Sequence, residues 1–156
     1  MPTSATLALT LRDATTADIP ALFALQEESG SVELAAIKRR SREAFDEHWR
    51  HTVLASPETT KKIIELAGEL VGYVVAWCHD EQREVGYWIA RAHFGRGIAT
   101  QALQRFVKEY ETQRPLHAVI AAHNYGSMKV AARVGFVRTH LLVEPDGIEV
   151  TMWRLD

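Results

Sequence analysis

Two hydrophobic periods run along the chain, and the points where one gives way to the other predict the elements. Residues 7–11 alternate weakly, which predicts a first strand. Thr15-Thr16-Ala17-Asp18 then offers an N-cap and a first-turn acid, with Ile19, Leu22, Phe23 and Gln26 at helical spacing. Ser29-Gly30 ends that helix. A second helical stretch is predicted over about residues 34–55. Residues 59–67 and 70–78 are β-rich runs around Gly68-Glu69, the pattern of a hairpin. A polar turn at 79–83 leads to another strand at 84–90.

From Ile98 the period lengthens. Ile98, Ala102, Leu103, Phe106, Val107 and Tyr110 share one face of a helix predicted to reach about Gln113, where Pro115 bars its continuation. Residues 116–122 are almost wholly apolar, as expected of a strand buried on both faces. A short helix at 127–134 ends on Gly135, a left-handed C-terminal position. Strands at about 137–144 and 148–155 flank the turn signal Pro145-Asp146-Gly147. The order β-α-α-β-β-β-α-β-α-β-β describes a mixed α/β fold.

Composition narrows the class. A length of 156 residues without repeat or linker predicts one domain over 1–156. With 47% hydrophobic and 24% charged residues, the chain has the balance of a soluble globular protein rather than a disordered one. A net charge of -2 offers no electrostatic footprint for nucleic acid, so no nucleic-acid partner is expected. Cys78 is the single cysteine, which excludes an intrachain disulfide and a thiolate metal cluster. The seven histidines lack ligand spacing, so no metal is expected. Without a signal-peptide pattern or a run of about 18 apolar residues, a cytoplasmic protein with no membrane association is expected. The basic run Lys38-Arg39-Arg40 with Arg42 reads as a solvated face.

Candidate chemistry concentrates where the strand at 84–90 meets the helix at Ile98. Gly95 and Gly97 remove two Cβ atoms at that turn, so backbone N–H groups can approach a ligand closely. The helix start adds free donors and the positive end of its dipole, a combination suited to pyrophosphate. Arg96 supplies a cation, Ala99 is small, and Thr100 has a hydroxyl to donate. Taken alone, Gly-x-Gly is equally an ordinary flexible turn. It is neither a dinucleotide fingerprint nor a P-loop, since the third glycine and the Gly-Lys-Ser/Thr are missing.

Glu84-Val85-Gly86-Tyr87-Trp88-Ile89-Ala90 followed by Phe94-Gly95-Arg96-Gly97-Ile98-Ala99-Thr100-Gln101-Ala102-Leu103 resembles motif A of the GNAT N-acetyltransferase superfamily. Asn124-Tyr125-Gly126-Ser127 and Val134-Gly135-Phe136 resemble its motif B, in the right order and with a strand between. The element order extends the resemblance over nearly the whole chain. Phe94, where the usual motif begins with Arg or Gln, and the upstream Gly-Tyr-Trp-Ile resemble the ribosomal-protein-acetylating branch (RimJ/RimL-like).

The resemblance implies a GNAT fold: a mixed, mostly antiparallel sheet of about seven strands, splayed at the coenzyme A site and flanked by about four helices. It implies acetyl-CoA as cosubstrate and direct acetyl transfer to a primary amine, either a small molecule or a protein N-terminus, by a monomer or homodimer. Cofactor contacts are implied for Trp88, Ile89, Ala90, Phe94, Gly95, Arg96, Gly97, Ile98, Ala99, Thr100 and Asn124. Many members carry a tyrosine seven residues after the motif-B Asn to protonate the departing thiolate. Ala131 stands there, so that role does not carry over, and Ser127 matches the branch's serine that steadies the thiolate. Asn124 and Ser127 are also an N-cap and a first-turn residue by position.

The acceptor ammonium must also lose a proton. Glu84 is the leading candidate base, either directly or through water, with Glu144 and Glu149 as rivals; a solvent-facing carboxylate is the plain alternative for Glu84. Trp49, Trp77, Trp88 and Trp153 are core residues or the lining of an acceptor pocket. The missing tyrosine keeps a second reading open, a non-catalytic CoA-binding or sensing domain.

Overall fold

The computed structural model describes residues 8–28, 30–35 and 38–156. Strand β1 (Leu9–Asp13) is followed by helix α1 (Ile19–Glu27), short helix α2 (Ser31–Ala35) and helix α3 (Arg42–His48), which runs into a π-helical turn at Trp49–Val53. Strands β2 (Thr60–Leu66), β3 (Glu69–His79) and β4 (Gln82–Ile89) form a meander. Helix α4 (Ile98–Glu109), strand β5 (Leu116–Ala121), helix α5 (Tyr125–Val134) and strands β6 (Val137–Val143) and β7 (Glu149–Leu155) complete the chain. The order of the seven-stranded sheet is β1-β2-β3-β4-β5-β7-β6. Every neighbouring pair is antiparallel except β4 and β5, which are parallel.

Helices cover both faces of the sheet. On one face Ile98, Leu103 and Phe106 of α4 pack with Ala131 of α5 onto Val74, Val85 and Leu116. On the other, Ile19 and Leu22 of α1, Phe45 of α3 and Trp49 surround Ile63. This second layer carries a chain of aromatic contacts. Phe23 meets Phe45 at 5.3 Å, Phe45 meets Trp49 at 6.1 Å, Trp49 meets Tyr73 at 5.2 Å, and Tyr73 stacks on Trp88 at 6.3 Å.

The structure departs from the sequence expectations in four places. Leu7, Ser29, Ala36 and Ile37 lie outside the described residues, and the first strand continues past Leu11 to Asp13. The long second helix is interrupted: α2 stops at Ala35, and α3 restarts behind Ser41, whose hydroxyl accepts from the Ala44 N–H at 3.1 Å. β4 begins at Gln82, because Asp80 and Glu81 both take left-handed backbone and close a two-residue turn. Finally, α4 ends at Glu109 rather than near Gln113, because Glu111 turns inward. Its carboxylate, almost fully buried, receives Arg83 Nε at 3.0 Å, Arg83 Nη2 at 2.8 Å and the Thr60 hydroxyl at 3.0 Å.

Candidate active site

β4 and β5 pair only at Arg83–Leu116 and Glu84–His117, after which the two strands diverge. The Arg83–Glu111 ion pair sits at the closed end of this fork. Side chains along β4 alternate between the faces of the sheet. Val85, Tyr87 and Ile89 face the layer of α4 and α5, whereas Trp88 and Ala90 face that of α1 and α3. A cavity of about 880 Å³ runs from the fork into the second layer. Leu22, Phe45, Trp49, Tyr73 and Trp88 line its far part; Tyr87, Asn124 and Ser127 line the fork.

Beyond the open end of β4 lies the glycine turn. Gly95 and Gly97 both have φ +75°, a left-handed backbone that favours glycine. A Cβ at Gly95 would meet nothing within 4 Å, and one at Gly97 only Gln101 Nε2 at 4.0 Å, so the space over the loop is open. The first backbone bond of α4 runs from the Gln101 N–H to the Gly97 carbonyl at 3.0 Å. The N–H groups of Ile98, Ala99 and Thr100 therefore have no helical partner and point out of the helix start. The Ile98 side chain is buried in the core, which leaves its N–H as the group it can offer a phosphate. Phe94 is exposed, and Arg96 Nη1 donates to His93 Nδ1 at 3.1 Å.

The Ala90 N–H is committed to the Val71 carbonyl at 2.8 Å. By antiparallel alternation the Trp88 N–H also faces β3, while those of Ile89 and Tyr87 face the fork. Of the residues at this strand end, Ile89 offers a free-edge donor. Trp88 instead turns its ring into the aromatic layer.

Asn124 caps α5, its side chain accepting from the Ser127 N–H at 3.2 Å. Ser127 in turn meets a residue that the sequence reading did not single out. The Tyr87 hydroxyl donates to the Ser127 carbonyl at 2.8 Å, and the Ser127 hydroxyl donates to Tyr87 Oη at 2.9 Å. Burial pushes the Tyr87 phenol up to about 12, against the opposing pull of the Ser127 hydrogen bond. Ala131 is fully buried in the core between α4, α5 and the sheet.

Glu84 lines the cavity and, by alternation, shares its side of β4 with Trp88. Burial raises its carboxyl above the usual carboxylate range and Asp80 adds to the rise, while His79 and His117 pull the other way. His79 Nδ1 lies 3.9 Å from Glu84 Oε2. His117, the β5 partner of Glu84, has a buried Nδ1 with no hydrogen-bond partner among the described residues. Gly86, two residues on, leaves room for the Trp77 ring; a Cβ there would come within 3.2 Å of it. Glu144 and Glu149 lie outside this cavity, whereas Glu58 lines it. Trp153 is buried in the first layer, its Nε1 bonded to the Thr151 hydroxyl. Val119 of β5, expected to be buried, is 40% exposed because it faces the cavity.

Among the described residues no group of three His, Cys, Asp or Glu side chains is placed to hold a metal ion, and no helix is long and apolar enough to cross a membrane.

Residues 8–137 match the family described as acetyltransferase (GNAT) domain. Comparison with curated protein sequences gave no match. Among solved structures, the aminoglycoside acetyltransferase AAC(6')-Ib in complex with coenzyme A superposes with a TM-score of 0.77 at 23% identity, over 94% of each chain. The ribosomal L7/L12 α-N-protein acetyltransferase RimL in complex with coenzyme A gives 0.78 at 21% identity, over 99% of this chain and 96% of that one. Spermidine N-acetyltransferase from Vibrio cholerae, in complex with CoA and spermine, gives 0.80 at 18% identity over 94% of each chain. The fold is common to all three.

Proposed function

Because the chain belongs to the acetyltransferase (GNAT) domain family, we propose that it transfers an acetyl group from acetyl-CoA directly to a primary amine. The observation that carries this reading is the fork. One continuous cavity joins the opening between β4 and β5, where Ser127 and Tyr87 stand, to an aromatic chamber holding Glu84. The structural relatives named above bind CoA, and their acceptors are an aminoglycoside, a polyamine or a protein N-terminus, all of them amines.

In this reading the pyrophosphate lies on the N–H groups of the 95–100 turn with Arg96 beside it. The pantetheine arm enters the fork against Asn124, and the Ile89 N–H meets the thioester oxygen as negative charge develops there. Glu84 takes one proton from the acceptor ammonium, directly or through water. A raised carboxyl pKa suits that task, because it narrows the gap to the amine. The amine nitrogen then attacks the acetyl carbon, the C–S bond breaks, and the electron pair leaves on sulfur. The second amine proton ends on the thiolate, giving amide and CoA thiol. The Ser127 hydroxyl, rotated from Tyr87 to the sulfur, steadies the departing charge.

Tyr87 keeps its proton on the Ser127 carbonyl, and burial raises its phenol, which favours a holding role. Its work is to hold Ser127. The branch reading, RimJ/RimL-like, rests on Phe94 and the Gly86-Tyr87-Trp88-Ile89 segment. Ala131 favours the second reading, a CoA-binding domain without turnover. A thiol-release assay over a panel of amines and N-terminal peptides, run beside acetyl-CoA calorimetry, tests both. Release with at least one acceptor is expected; acetyl-CoA binding with no release on any acceptor would overturn the transferase reading.

A further inference from the structure

All four residues of the basic run that reads as a solvated face are exposed in the fold, but their surroundings differ. Arg39 pairs with Glu27 at 2.7 Å, and Arg42 lies over the Phe23 ring at 5.3 Å. Arg40 and Lys38 line the cavity instead. The backbone of Arg40 is fixed from the side of α1. Gln26, a buried amide, accepts from the Arg40 N–H at 3.1 Å and donates to the Arg40 carbonyl at 2.8 Å, a two-point clamp on one residue's backbone. Arg40 is exposed at the cavity it lines, and among the described residues no carboxylate forms an ion pair with its guanidinium. The field of Arg40 reaches His48 and Tyr73, which line the same chamber. His48 is held below its usual pKa by burial and then by Arg40.

The chamber is therefore of mixed sign: carboxylates at Glu84 and Glu58, cations at Arg40 and Lys38, and aromatic walls between. A polyamine or aminoglycoside, positively charged along its length, would meet Arg40 as a like charge. A ligand with an ammonium at one end and an anion at the other satisfies both signs. The volume of about 880 Å³, part of it belonging to the fork, is within the range of small-molecule sites.

Building on the transferase reading above, we infer that the acceptor is a small amine that carries a carboxylate, with the carboxylate docked on Arg40 and the amine directed to Glu84. Arg40 then sets specificity by a charge-assisted, two-pronged hydrogen bond.

The test uses α-amino acids, each paired with its decarboxylated amine, together with spermidine and a peptide with an acidic N-terminal sequence. Binding to the CoA-saturated protein is measured by calorimetry and turnover by thiol release, in wild type, Arg40→Gln and Arg40→Lys. The wild type is expected to prefer at least one carboxylate-bearing member over its decarboxylated partner by about ten- to hundredfold. Arg40→Gln should collapse that ratio, and Arg40→Lys should restore part of it. Because Gln26 grips the backbone, the melting temperature of both variants should stay at the wild-type value. No preference in any pair, a preference unchanged in Arg40→Gln, or better use of spermidine or the peptide overturns the inference. So does a lack of binding by every small amine. Failure of the transferase reading looks different: carboxylate-selective binding dependent on Arg40, with no thiol released from acetyl-CoA.

Discussion

The Ser127 hydroxyl and the Tyr87 hydroxyl lie 2.9 Å apart, bridging α5 and β4 across the open fork. A carbonyl can only accept, so the Tyr87 proton is committed to the Ser127 carbonyl and the serine must be the donor between the two hydroxyls. Ser127 is thus the mobile member of the pair and Tyr87 the fixed one.

Ser127→Ala should lower kcat more than it weakens acetyl-CoA binding, because the hydroxyl meets charge that exists only as the thiolate leaves. Tyr87→Phe should lower kcat by about three- to tenfold, the scale of one hydrogen bond. Since Tyr87 acts through Ser127, the double variant should be no slower than Ser127→Ala alone. Steady-state kinetics on the four proteins provide the cycle, and additive losses would assign the two residues separate roles.

Glu84 makes opposite predictions for activity and stability. As a base it must be ionised, so kcat/KM should fall as pH drops through its raised pKa, an acid limb lying above that of an ordinary glutamate. Glu84→Gln should lose about 10²–10⁴-fold and the limb with it. Folding favours the protonated carboxyl, so stability is unaffected below the ordinary glutamate pKa and declines as pH rises from there to the raised folded value. Glu84→Gln should therefore melt higher than wild type near neutral pH and equal to it at low pH. Thermal scans across pH check the sign.

Gly97→Trp should abolish acetyl-CoA binding by filling the space over the turn, which a Cβ alone leaves open. Its φ of +75° adds backbone strain of about 1–2 kcal/mol for any side chain. Gly97→Ala carries that strain without the bulk and should retain measurable affinity. Calorimetry on the pair separates blockage from strain; equal loss in both would count against a phosphate cradle.

Glu111→Ala should destabilise the protein by about 3–5 kcal/mol, because it leaves the Arg83 guanidinium buried without its partner. Denaturant titration measures the loss. Since this pair sits at the closed end of the fork, acetyl-CoA affinity should fall as well.

Much of the architecture was legible in the chain because period-two and period-3.6 patterns are local, and the glycine turn between strand and helix marks itself. What escaped the sequence was tertiary. Glu111 ends α4 early through Arg83 and Thr60, residues distant in sequence and brought together by the sheet. Tyr87 was one apolar-looking position in a strand until the fork set it against Ser127. Ala131 has no proton to give, and nothing local pointed to the phenol on the opposite wall that holds Ser127. Arg40 is the solvent-exposed cation the sequence suggested, but the Gln26 clamp that fixes its backbone beside the cavity is a contact across fourteen residues. Of the carboxylates, sequence put Glu84 first with Glu144 and Glu149 as rivals, and of these three only Glu84 lines the cavity.

Alternation along β4 has an evolutionary corollary. In the proposed transfer, positions 85, 87 and 89 lie on the donor's face of the sheet, and positions 84, 86 and 88 on the face of whatever receives the acetyl group. Substitutions on the even set can retune acceptor choice while the odd set preserves the handling of the donor, so one strand supports many specificities over an unchanged leaving-group chemistry. A single-residue deletion in the Asp80-Glu81 turn that shifted the register would exchange the two sets, silencing both functions at once.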